Sequence, residues 1–181
     1  MNKYLDAEKA LETVLYVAGA TTDLFHIVKI LYYADKLHLE KYGALITGDF
    51  YVAMPEGPVP SGALHLIQYA RHDPFGFEDK IVRAHPENAI AVKGDKKDVV
   101  TPLRSANLDY LSETDRECLD EAIAKYAGMD FGTLWRLVHE EESYKKARAR
   151  RPEKNSPLIP LTDIILLDLP NGSDVVKYLD S

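Results

Sequence analysis

Residues 24–43 read LFHIVKILYYADKLHLEKYG, and this stretch decides the architecture. Leu24, Val28, Leu31, Asp35, His38 and Tyr42 fall on one stripe of a helix, with Ile27, Ile30, Ala34 and Leu37 on the stripe beside it. An apolar surface this wide predicts a central helix from Leu24 to Tyr42, with Thr22, before Asp23, as its N-cap and Gly43 as its stop. Upstream, Tyr4 to Ala18 places Leu11, Val14, Leu15 and Ala18 on one face of a first helix that ends at Gly19.

Downstream, Phe50 to Met54 reads as a short strand, and Pro55, Gly57, Pro58 and Pro60 as a rigid turn, because no helix interior tolerates that proline density. Ser61 is placed to cap a helix over Ala63 to Arg71, which stops before the turn residues His72-Asp73-Pro74. Ile90 to Val92 and Asp98 to Thr101 flank Lys-Gly-Asp-Lys-Lys and predict a hairpin. Ser112-Glu113-Thr114-Asp115 opens a helix with Cys118, Leu119, Ala122, Ile123 and Tyr126 on its buried face and Gly128 beyond its end. A further helix spans Phe131 to Glu142, with Leu134, Trp135 and Val138 inward, and a basic continuation runs from Ser143 to Arg151. Glu153 to Pro160 reads as a loop, Thr162 to Leu169 as a short apolar element, and Ser173 as the start of a last helical turn or two. The expected fold is therefore mainly α: a single helical domain over 1–181 with a small antiparallel β element between Phe50 and Thr101, and 153–181 as a peripheral C-terminal segment.

Composition narrows the function classes. Hydrophobic residues at 46% and charged residues at 28% are ordinary globular usage, which argues against a disordered or low-complexity chain. Lys plus Arg number 22 against 29 Asp plus Glu, so the net charge of -7 disfavours a broad grip on nucleic acid and suits a basic partner. The single cysteine, Cys118, permits neither an intrachain disulfide nor a cysteine-built zinc site, and a reducing cytoplasm is expected. The apolar run Val14 to Ala20 follows Asp6, Glu8 and Glu12 where a signal peptide carries positive charge, and no membrane span is expected.

Site chemistry is sparse. Asp35 and His38 stand three apart on the central helix, which allows a general base oriented by a carboxylate, or else a pair of core fasteners. No nucleophile or metal motif stands beside them, so the fastener reading is preferred over a His/Asp-dependent hydrolase. His26, His38, Glu40, His65, His72, His85 and His139 show no metal-ligand spacing, and the glycines match no phosphate-binding loop, so neither metal nor cofactor is expected. Lys145, Lys146, Arg148, Arg150 and Arg151 follow Glu141 and Glu142 at a helix C-terminus, where positive charge opposes the exposed carbonyls. The proline-rich turn and the strand edge beside it read equally as a rigid connection that aims the next helix or as a docking surface, with Tyr51, Glu56, Pro58, Val59 and Pro60 as contacts.

The stretch ILYYADKLHLEKYGALITGDFYVAMPEGPVPSGAL, Ile30 to Leu64, resembles the Panacea domain, the family of SocA-like antitoxins of bacteria and their phages. Tyr33-Ala34-Asp35, His38-Leu39, Tyr42-Gly43, Ile46-Thr47-Gly48-Asp49, Tyr51 to Met54 and Gly57 to Pro60 carry the likeness; Ala44 and Pro55 depart from the usual residues. The resemblance implies a non-enzymatic antitoxin that neutralises a cognate toxin by direct binding. Some relatives instead act as adaptors to an ATP-dependent protease. It also implies that Tyr33, Asp35, His38, Tyr42, Gly48 and Asp49 are scaffold rather than partner-reading residues.

Overall fold

The computed structural model describes residues 5–72, 76, 78–94 and 98–179. Tyr4, Asp73, Pro74 and residues 95–97, which figured in the expected helix start and turns, lie outside the described residues. The fold is mainly α with a minor antiparallel β part: α1 (Ala7–Ala18), α2 (Leu24–Tyr42), β1 (Tyr51–Met54), β2 (Gly57–Pro60), α3 (Ser61–Ala70), α4 (Asp79–Arg83), β3 (Ile90–Lys93) and β4 (Val99–Pro102). The chain continues through α5 (Glu113–Tyr126), α6 (Phe131–Glu140), α7 (Glu142–Arg150), β5 (Leu158–Ile159), α8 (Leu161–Asp163) running straight into a π-helical turn (Ile164–Asp168), and α9 (Gly172–Leu179). No helix among the described residues is long and apolar enough to cross a membrane.

Helix α2 is central, as its broad apolar surface requires. Ile27, Ile30, Tyr32 and Ala34 have no exposed surface, and α2 packs against α1, β2 and, most extensively, α5. Its N-cap is Asp23, whose carboxylate accepts from Phe25 N, and its end is Gly43 at φ +67°, a left-handed conformation that glycine adopts without steric cost. Helix α5 starts at a full capping box, Ser112 with Asp115, and buries Cys118, Leu119, Ala122 and Tyr126, while Ile123 is half-buried. The β3–β4 hairpin forms as its sequence predicts, and β4 is tied to the α1–α2 connection through Val100 N to Thr22 O and Leu24 N to Asp98 O.

Several sequence expectations are corrected. Gly57 to Pro60 is a strand rather than part of a turn: β2 pairs with β1 (Tyr51 opposite Pro60, Met54 opposite Gly57), and its prolines are tolerated because it is the outer strand. Leu158–Ile159, expected as loop, is a third strand on the other side of β1, so the strand edge expected to be free is paired on both sides. The predicted helix to Glu142 breaks at Glu141, which is extended (φ −60°, ψ 126°), before α7 begins. Trp135, expected inward, is 36% exposed. The C-terminal segment enters the core as well, because Ile159 and Ile164 join the main apolar cluster.

Helix α3 begins at Ser61, and its N-cap residue Pro60 offers no side-chain bond. The cap comes from Asp49, whose carboxylate accepts from Gly62 N (2.8 Å), Ala63 N (2.9 Å) and Phe50 N (2.8 Å). Asp49→Ala is expected to cost about 2 kcal/mol, by stranding buried donors as well as removing the cap. Thermal unfolding should then fall by about 4–8 °C for a chain of this size, and an unchanged midpoint would show that water replaces the cap.

Candidate functional site

The motif residues of α2 and the loop after it form a connected buried network. Asp35 accepts from Ile46 N (2.7 Å) and from the Tyr51 hydroxyl in a short hydrogen bond, tying α2 to the returning chain and to β1. His38 does not pair with Asp35. Its Nδ1 meets Ala44 O at 2.7 Å, while Nε2 lies 3.4 Å from both Thr114 Oγ1 and Asp115 Oδ1 at the start of α5. Asp115 is also held by Lys9 at 2.7 Å, so this carboxylate joins α1, α2 and α5. Tyr33 stacks on Tyr126 at 4.2 Å, and the Tyr42 hydroxyl donates to Glu117 at 2.7 Å. Gly48, at φ +70°, turns the chain so that Asp49 reaches α3.

Electrostatically this network is held by burial rather than tuned for exchange with solvent. Removal from water pushes the Asp35 carboxyl up to about 7, against the opposing pull of Tyr51 and Ile46, and burial likewise raises Asp49 despite its three backbone donors. The cavity between Asp35, Asp49, Tyr51 and α1 has a volume of about 10 Å³, room for at most one water. Among the described residues no group of three or more His, Cys, Asp or Glu side chains converges as a metal site. Burial pushes the Cys118 thiol up to about 11, which keeps it protonated at neutral pH.

A second cluster surrounds the β1–β2 tip. Trp135 Nε1 donates to Glu56 (2.9 Å), and the Tyr144 hydroxyl donates to Met54 O (3.0 Å). His139 lies between two carbonyl oxygens, Trp135 O at 2.7 Å and Pro55 O at 2.9 Å, and its ring stacks on Trp135. From below, Lys29, fully buried on α2, donates to Pro58 O at 2.9 Å and sits 5.2 Å from the Phe25 ring. Desolvation lowers its ammonium to about 7, with Glu56 as the opposing charge.

Of the five residues expected as docking contacts, Glu56 alone is exposed. Tyr51, Pro58, Val59 and Pro60 are buried, because β1 is the middle strand and β2 packs down on α2 and α6. The basic stretch is largely engaged within its own chain: Lys146 and Arg150 grip Asp163, and Arg148 donates to Ala53, Lys154 and Asn155 carbonyls. Sequence reading missed Trp135 and His139 as surface groups around Glu56, and Asp115 as the carboxylate of His38. The capping-box pattern singled out Asp115 only as a helix start.

These observations describe a helical scaffold with an internally satisfied motif and an exposed aromatic tip. The family model for antitoxin SocA-like, Panacea domain proteins matches residues 27–145, well over half of the chain, and the chain belongs to that family. No curated protein and no solved structure matches it.

Two pH slopes of opposite sign are expected. Between about 3.8 and 7 the folded chain keeps a proton on Asp35 that the unfolded chain releases, so this stabilisation is complete below that window and lost as pH rises through it. For Lys29 the unfolded chain holds the extra proton between about 7 and 10.5, so stability rises with pH there. In urea unfolding, wild type should lose stability relative to Asp35→Asn from about pH 5 to about pH 7, and gain it relative to Lys29→Met above about pH 8. Parallel curves would show that neither group changes charge on folding.

Proposed function

We propose that the protein acts in the cytoplasm as the neutralising half of a toxin–antitoxin pair, binding a cognate toxin directly and occluding it. Membership of the SocA-like antitoxin family over residues 27–145 carries this reading. The geometry supports a binding role for the scaffold as well, since Asp35, His38 and Asp49 make their hydrogen bonds inside the fold, and the cavity that Asp35 and Asp49 line holds only about 10 Å³. The acidic excess favours encounter with a basic toxin.

The contact surface proposed is the exposed β1–β2 tip with the aromatic face of α6: Pro55, Glu56, Trp135 and Phe131, the last 50% exposed. Tryptophan is enriched among residues that dominate binding energy, and here the Glu56 bond and the His139 stack hold its ring in place before any partner arrives. Tyr51, Pro58, Val59 and Pro60 then act beneath this surface, by fixing the tip.

Co-expression with the product of the neighbouring reading frame tests the proposal. Protection through a one-to-one complex with undiminished toxin abundance is expected; protection that requires a protease and shortens toxin lifetime would identify an adaptor, and protection at catalytic ratios an enzyme. Glu56→Arg combined with Trp135→Ala should weaken the complex by about 2 kcal/mol or more, with thermal unfolding lowered by only about 2–4 °C. Full protection by that variant would move the contact elsewhere.

A further inference from the structure

A groove of about 520 Å³ runs between α2, α5, the α6–α7 junction and residues 167–170. Leu137 of α6 lines it, two residues from Trp135 and therefore about 200° around the helix, so the groove opens away from the aromatic face. Six carboxylates and two lysines line it. Lys36 is held by Glu141 in a short ion pair, whereas Glu40 and Glu140 at the rim form no ion pair with any described residue. Deeper in, Glu141 and Asp168 both accept from the Tyr32 hydroxyl, at 3.4 and 3.3 Å, and burial together with the Asp168 charge raises Glu141. Two carboxylates thus face one hydroxyl, with a lysine on Glu141 alone, in a partly dry site where additional positive charge is stabilised.

The groove is also greasy. Leu137 and Leu167 are 41% and 43% exposed on its walls, and the stacked rings of Tyr33 and Tyr126 line it as well. Apolar walls with an acidic rim exclude an anionic ligand, and the absence of any converging metal-ligand group among the described residues argues against a bound divalent ion. What fits is a segment carrying leucine-like side chains on one face and Lys or Arg along the flanks, the helix-in-groove mode with charged edges.

We propose that this groove docks a basic, leucine-bearing helix of the toxin, an inference that rests on the antitoxin reading and adds a second contact surface on α6. The toxin then straddles α6, with the aromatic tip on one side and the acidic groove on the other.

The test has two arms. In the first, an amidated peptide of about 14 residues, long enough for nearly four helical turns, with leucines on one face and arginines on the other, is titrated into the full chain. Wild type should bind it, with affinity falling as salt rises from about 50 to about 200 mM. Glu40→Lys/Glu140→Lys and Leu137→Ser should each weaken it by about tenfold. Glu153→Lys/Asp109→Lys, the same charge change outside the groove, should alter it by no more than about twofold. Amide shifts on binding should cluster in 33–40, 121–126 and 137–142. No binding by wild type, or equal losses in the two charge reversals, overturns the groove.

In the second arm the same variants are co-expressed with the toxin. Wild-type neutralisation with loss in Glu40→Lys/Glu140→Lys supports the proposal; neutralisation by both overturns the groove and leaves the antitoxin reading standing. A wild type that fails to bind the toxin overturns the antitoxin reading and the toxin as occupant, whatever the peptide does.

Discussion

The structure turns on a buried carboxylate that must be satisfied. Asp35, inside α2, is buried away from bulk solvent, and its two oxygens accept from donors of the returning chain, the Ile46 amide and the Tyr51 hydroxyl. Those bonds set where the chain goes after the Gly43 stop and seat β1 against α2. Once β1 is seated, Asp49 stands where its carboxylate can gather the amides that open α3, so the placement of one helix depends on a side chain of another. Because the two carboxylates repel and share a dry region, the arrangement holds only while packing keeps it closed.

The same device recurs at the other end of the molecule. Helix α7 follows directly on the extended Glu141, which provides no side-chain cap, and its Ser143 amide is instead met by Asp168 from the π-helical turn 25 positions along the chain. In both α3 and α7 a helix start lacking its own cap is completed by a distant aspartate. Such starts cannot be read from the local rules, which look for Ser, Thr, Asp or Asn immediately before the helix. That rule assigns Ser61 as a cap, whereas Ser61 is the first helical residue.

This explains what the sequence made legible. Helix α2 with its Gly43 stop, the Ser112 capping box and the β3–β4 hairpin follow from signals within a few residues of one another, and each formed as expected. The strands that were missed depend on long-range pairing: β5 has two residues and no periodicity to detect, and β2 carries prolines that are admissible only because its outer edge goes unpaired. On α6, neighbouring apolar residues 134, 135, 137 and 138 span too much of the circumference for spacing to say which are covered. Packing buried Leu134 and Val138 and left Trp135 and Leu137 outside. The motif residues Asp35, Asp49 and Tyr51 are buried and bonded to one another's elements, whereas the exposed side chains of α6 sit where local pattern carries least information.

That separation has a mechanical consequence. Glu56 reaches the surface at the end of a strand pair braced by Lys29 from within, by His139 from α6 and by Tyr144 and Arg148 from α7. Each bond goes to a backbone carbonyl, so the clamp holds the turn whatever side chains it displays. A binding surface built this way loses little conformational freedom when a partner arrives, and more of its contact energy appears as affinity. The side chains of the tip and of the walls of α6 can therefore change residue by residue while the polar network beneath them stays fixed.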